Sequence, residues 1–207
     1  MDKHSEQRQN ESNISCSLLV FDNFYKNPYI IREFAMKQSY HTDTYYPGKR
    51  TKSFATIELK NKIQTLIEPF AGKITDFPTH SCDNGSFQYA TSNDKTWIHI
   101  DNENINWGGI LYLTPDAPFN SGTTFYKYKN YIIDETERII KNDEYGDATR
   151  VSGSDSKNWD VVDQVGNVFN RLILFRSTRY HCSTNYFGKD ITDGRLFQVF
   201  FFKTEYS

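Results

Sequence analysis

SFQYATSNDKTWIHIDNENINWGGILYLTP, residues 86–115, is the stretch whose reading decides the fold. Within it, SFQYAT (86–91), TWIHID (96–101) and GGILYLTP (108–115) are short aromatic and β-branched runs, separated by SNDK (92–95) and NENINW (102–107). Such runs read as β-strands, because these side chains pack well on a pleated surface and the intervening residues favour tight connections. The same texture continues toward the C-terminus in TTFYKY (123–128), LILF (172–175), YHCSTNYF (180–187) and RLFQVFFF (195–202). Seven runs with mostly short connections predict an antiparallel sandwich or jelly roll.

One connection is long. Residues 129–168 hold a predicted helix, IIDETERIIK (132–141), and a polar stretch, GDATRVSGSDSKNWD (146–160). An insertion of this length between strands of a compact domain is usually functional, and residues 150–160 are read as a candidate lid. On the N-terminal side, CSLLVFDNF (16–24) predicts a strand. Asn27-Pro28 then starts a helix carrying Ile31, Phe34, Ala35 and Gln38 to about Ser39. Leu59, Ile63, Leu66, Ile67 and Phe70 form the apolar stripe of a second helix. The tyrosine-rich loop between them, with Tyr45, Tyr46, Lys49 and Arg50, is a second candidate lid. The expected organisation is a disordered polar tail over 1–14 and a single domain over 15–207. That domain has helical support at about 27–71, strands at about 86–202 and the insertion at about 129–168.

The composition bounds the partners. A chain of 207 residues suits one domain. A net charge of −2 argues against tight nonspecific binding to nucleic acid, which needs a basic face. Mean hydropathy is low at −0.69, yet 16% of residues are aromatic, with 16 Phe and 14 Tyr, so the core is expected to be aromatic-rich and β. This excludes disorder over most of the length. Cys16, Cys82 and Cys182 have no C-x-x-C spacing, and MDKHSEQRQNESNISCS lacks an apolar signal region. The apolar runs are too short for a membrane helix, so reduced thiols and a cytoplasmic location are expected.

Of five histidines, His4 lies in the tail and His41 and His80 lie in polar loops, whereas His99 and His181 fall in predicted strands. His99 and Asp101 form H-x-D, and positions i and i+2 of a strand share a face, so an imidazole and a carboxylate converge. With His181 they supply two imidazoles and one carboxylate. That set occupies one face of an octahedral Fe(II) and leaves three positions open. Arg195 heads an otherwise apolar strand and presents a planar fork suited to a carboxylate.

At these residues the chain resembles the Fe(II)- and 2-oxoglutarate-dependent oxygenases, within them the prolyl 4-hydroxylase-like branch, and its segment 170–181 resembles that of phage-like members. The resemblance rests on His99 and Asp101, distal His181, Arg195, ILYLTP (110–115), SGTTF (121–125) and NRLILFRSTRYH (170–181). It implies a mainly β (α+β) fold, a double-stranded β-helix or cupin-like jelly roll, with the N-terminal helices packed on one sheet. It implies His99, Asp101 and His181 as iron ligands and catalytic residues, and Arg195, Tyr112 and Tyr89 as contacts to 2-oxoglutarate. The implied cofactors are Fe(II), 2-oxoglutarate as cosubstrate and O2, with ascorbate as a stimulant.

The implied reaction is hydroxylation of a C–H bond, with succinate and CO2 as coproducts. Its substrate would be a peptide or protein residue of the prolyl type, or a small molecule. Trp97, Trp107, Arg179 and Tyr180 are candidate substrate contacts. Two other readings remain open on sequence grounds: a noncatalytic jelly-roll binding module, and a cupin-like metal enzyme that uses no 2-oxoglutarate. No membrane partner is expected, and the sequence does not fix an oligomeric state.

Overall fold

In the computed structural model, residues 15–80, 83–101, 104–129, 157 and 159–206 are described. In chain order the elements are β1 (Leu18–Phe21), α1 (Pro28–Met36), β2 (Lys49–Arg50), α2 (Ile57–Ala71), β3 (Ile74–Asp76), β4 (Phe87–Ala90), β5 (Trp107–Tyr112), β6 (Thr123–Tyr128), β7 (Trp159–Val165), β8 (Leu172–Arg176), β9 (Tyr180–Ser183) and β10 (Arg195–Thr204). A seven-stranded sheet runs β1-β8-β5-β10-β4-β2, with β3 added to the far end of β10, and a three-stranded sheet runs β7-β6-β9. Every pairing is antiparallel.

Alternation along the strands gives the large sheet two faces. Leu111, Leu172, Leu174, Leu196, Phe200 and Phe202 point outward and are buried with Ile63, Ile67 and Ala71 of α2 and Ala35 of α1. The α2 stripe Leu59, Ile63, Ile67, Ala71 repeats every four residues, so it meets this face along the helix length. Thr56 starts α2 by accepting the Leu59 N–H at 3.2 Å, and Gly72, at φ +74°, ends it. The other face meets the small sheet. There Phe125 packs edge-on to Phe175 at 5.2 Å, and the hydroxyls of Tyr112 and Thr123 hydrogen-bond at 2.7 Å.

Several sequence expectations are corrected. Segment 96–101 is no ladder strand: His99 makes one isolated bridge, to His181. The end of the expected insertion is β7, a member of the small sheet. Strands β2 and β3 were not expected. Helix α1 ends at Met36, and Asn27 makes no side-chain cap; Pro28 at the first turn sets the start instead. The tail 1–14, Cys82 and residues 130–156, with the expected helix 132–141, lie outside the described residues. Among the described residues no helix is long and apolar enough to cross a membrane.

Candidate metal centre and its cavity

His181 is carried by β9, opposite Phe125 of β6, and its ring packs 4.5 Å from that of Phe175. His99 is held to it by reciprocal backbone bonds: the His99 N–H donates to the His181 carbonyl at 3.0 Å, and the His181 N–H donates back at 2.8 Å. Two residues on, the Asp101 N–H donates to the Ser177 carbonyl at 3.0 Å, anchoring the carboxylate beside the histidines. One ligand atom from each of His99, Asp101 and His181 lies within 4.8 Å of the others. His181 Nε2 is 3.8 Å from Asp101 Oδ1.

The outer nitrogens are fixed in the same way on both rings. His99 Nδ1 lies 3.0 Å from the Trp97 carbonyl and His181 Nδ1 lies 2.9 Å from the Arg179 carbonyl. A carbonyl oxygen only accepts, so each Nδ1 carries the proton and each Nε2 keeps its lone pair for a metal. Burial works in the same direction. Desolvation lowers the pKa of His99 and carries that of His181 well below its usual value. Burial also pushes the Asp101 carboxyl up to about 7, against the pull of the Arg50 charge. Asp101 Oδ2 is buried with no hydrogen-bond partner. Two neutral imidazoles and a carboxylate with an unsatisfied oxygen form a donor set that a divalent cation completes, and the set suits Fe(II).

Arg195 is fully buried. Its Nε donates to the Ser121 carbonyl at 2.9 Å and its Nη2 to that of Gly122 at 3.3 Å, while Nη1 has no partner. Its guanidinium lies 4.3 Å from the Phe197 ring centroid and 5.4 Å from that of Tyr112. A buried guanidinium with one unpartnered nitrogen and, among the described residues, no ion pair has the chemistry to receive an anion. Tyr112 is on the same face beside it.

Other expected residues lie elsewhere. Tyr89 sits on the outer face of β4, packed against the helix-side core and edge-on to Tyr40 at 5.0 Å, so the fold does not bring it to the triad. Trp107 also faces that core and donates to the Thr204 hydroxyl. Tyr180 packs on Trp159, on the face of the small sheet that carries Cys182. Arg179 covers the Phe125 ring and pairs with Asp163, its carbonyl steadying His181. Trp97, Tyr45 and Tyr46 do line the cavity that contains the triad, whose volume is about 880 Å³.

Arg50, which the sequence placed in a candidate lid, lines this cavity too, as do Gln88 and Tyr186, which sequence did not single out. Arg50 donates from Nε and Nη2 to Gln88 Oε1 at 2.9 and 2.6 Å, and from Nη1 to Asp83 at 2.8 Å; its guanidinium lies 3.9 Å from the Tyr46 ring centroid. Gln88 donates in turn to the Pro47 carbonyl at 2.7 Å. The tyrosine-rich loop is thereby braced onto β4 as one wall of the cavity. The available signal was alternation: Gln88 is a polar residue between Phe87 and Tyr89, as expected of a side chain on the opposite face.

Comparison with solved structures places this architecture. HygX from Streptomyces hygroscopicus, determined with nickel, 2-oxoglutarate and hygromycin B, is 11% identical with a TM-score of 0.59, over 92% of this chain and 84% of that one. A prolyl hydroxylase from Trichoplax adhaerens, in complex with a hypoxia inducible factor peptide fragment, is 12% identical with a TM-score of 0.52, over 90% and 83%. A 2OG-Fe(II) oxygenase family oxidoreductase from Burkholderia pseudomallei is 8% identical at 0.52, over 90% and 84%. The fold is therefore that of the 2-oxoglutarate/Fe(II) oxygenases, prolyl hydroxylases included. No curated protein matches the chain. Residues 5–202 match a family of unknown function, DUF6445, and the chain belongs to that family.

Proposed function

We propose that the protein is an Fe(II)- and 2-oxoglutarate-dependent oxygenase that hydroxylates a C–H bond of a peptide residue or small molecule, on a double-stranded β-helix formed by the two facing sheets. The observation that carries this reading is the convergence of His99, Asp101 and His181 within 4.8 Å, with both Nδ1 atoms committed to carbonyls. These three side chains hold the iron. Arg195, through its vacant Nη1, receives the far carboxylate of 2-oxoglutarate, and the Tyr112 hydroxyl, beside it, assists.

Bound there, Fe(II) with 2-oxoglutarate and O2 supplies the oxidant, and succinate and CO2 leave as coproducts. The chain contributes placement and exclusion of water: Phe125 and Phe175 wall His181 on its buried side, and the guanidinium anchor fixes the cosubstrate's direction. The vacancy at Arg195 favours this over a cupin-like enzyme without 2-oxoglutarate. Hygromycin B and a peptide are substrate-sized molecules bound by proteins of this fold, and a cavity of about 880 Å³ has room for either class.

Anaerobic addition of Fe(II) and then 2-oxoglutarate should give the metal-to-ligand charge-transfer absorption of a chelated 2-oxo acid, and admission of O2 should release succinate. Absence of both overturns the reading.

A further inference from the structure

Gly108 and Gly109 lie in the middle of β5, between β8 and β10, where glycine weakens a strand and needs a packing reason. Their reasons differ because they face opposite ways. A Cβ built on Gly108 overlaps Asp101 Oδ2 and comes within 2.9 and 3.0 Å of two carbons of the Phe175 ring. That ring is itself packed 4.5 Å from the ring of His181 and 5.2 Å from Phe125, so it has little freedom to retreat. A Cβ on Gly109 meets the outer core instead, at 2.9 Å from Leu174 Cδ2 and 3.2 Å from Phe200 Cβ.

We infer that Gly108 is a positioning residue for the metal centre: its missing side chain is the space in which the Asp101 carboxylate sits. The inference rests on the reading of His99, Asp101 and His181 as metal ligands. Asp101 is on an irregular segment with one anchoring backbone bond nearby, so the floor under its carboxylate sets where the oxygens lie. A methyl group at 108 would displace the carboxylate and press on Phe175, whose ring packs against His181, disturbing two ligands at once.

The test is Mn(II) binding to the purified full chain, followed by calorimetric titration, with Gly108→Ala compared with Gly109→Ala. Gly108→Ala should weaken Mn(II) by about tenfold or more, the scale of disturbed ligand support. Gly109→Ala should melt at lower temperature but bind Mn(II) as the unaltered chain does. Equal Mn(II) affinity in Gly108→Ala and the unaltered chain overturns the inference.

A stability cycle covers the case in which Gly108→Ala folds poorly. In an Asp101→Ala background the carboxylate is gone, so adding Gly108→Ala should lower the melting temperature by clearly less than in the unaltered chain. An equal loss in both backgrounds overturns the inference. If the unaltered chain takes up no Mn(II), the reading of the site falls, and the cycle still decides whether Gly108 makes room for Asp101.

Discussion

The two faces of the seven-stranded sheet share every strand and differ by one residue of register. Outward, Tyr89, Leu111, Leu196 and Phe200 join a dry core under α1 and α2. Inward, Gln88, Gly108, Tyr112 and Arg195 surround polar and ligand-bearing space. The outer face packs apolar side chains under the helices, while the inner face joins the apolar Ile173 and Phe175 to the Arg195 guanidinium, whose Nη1 has no partner, and abuts the Asp101 carboxylate. The contrast teaches that within this sheet the side-chain period of two divides the helix-side core from the cavity side, while His99, Asp101 and His181 are brought in by segment 96–101 and by β9. Within the sheet, a residue's parity along the strand assigns its face.

That separation can be broken or sharpened by substitution. The largest effect belongs to the outer face: Phe200→Ala should cost about 3–5 kcal/mol of unfolding free energy, read by denaturant titration, while Mn(II) binding to the folded fraction is retained. On the inner face, Arg195→Lys keeps the charge but loses the fork, and 2-oxoglutarate affinity should fall by about 10–100-fold with metal affinity unchanged, read by the charge-transfer band. Tyr112→Phe removes one hydroxyl beside Arg195, and an affinity loss of about 2–10-fold for 2-oxoglutarate is expected. The smallest effect is Tyr89→Phe, which should leave that affinity unchanged because the hydroxyl is on the helix side. A loss at Tyr89 equal to that at Tyr112 would contradict the assignment of faces.

Much of this was legible in local chemistry. The runs that became β4, β5, β6, β8, β9 and β10 carry their own aromatic and β-branched signal, and His99, Asp101, His181 and Arg195 stood out by residue type and spacing. Tyr89 shows what the pattern lacks: alternation says that Phe87 and Tyr89 share a face, but not which face turns toward the helices. Strand β7 escaped because five of its seven residues are exposed, leaving only Trp159 and Val165 as buried markers. Strand β2 is two residues long and exists because β4 offers an edge. The H-x-D segment had a strand's pattern without a strand's neighbours, since its backbone meets β9 at a single point.

That single point bears on how the two histidines are held. The reciprocal bonds between His99 and His181 hold the two residues together through the main chain, and the Ser177 carbonyl accepts from the Asp101 N–H. Under the proposed function an ion would find its ligands already gathered by the fold, in contrast to small zinc domains whose metal and fold are inseparable. On that reading a chelator should strip the metal without unfolding the chain, as circular dichroism before and after chelation would show.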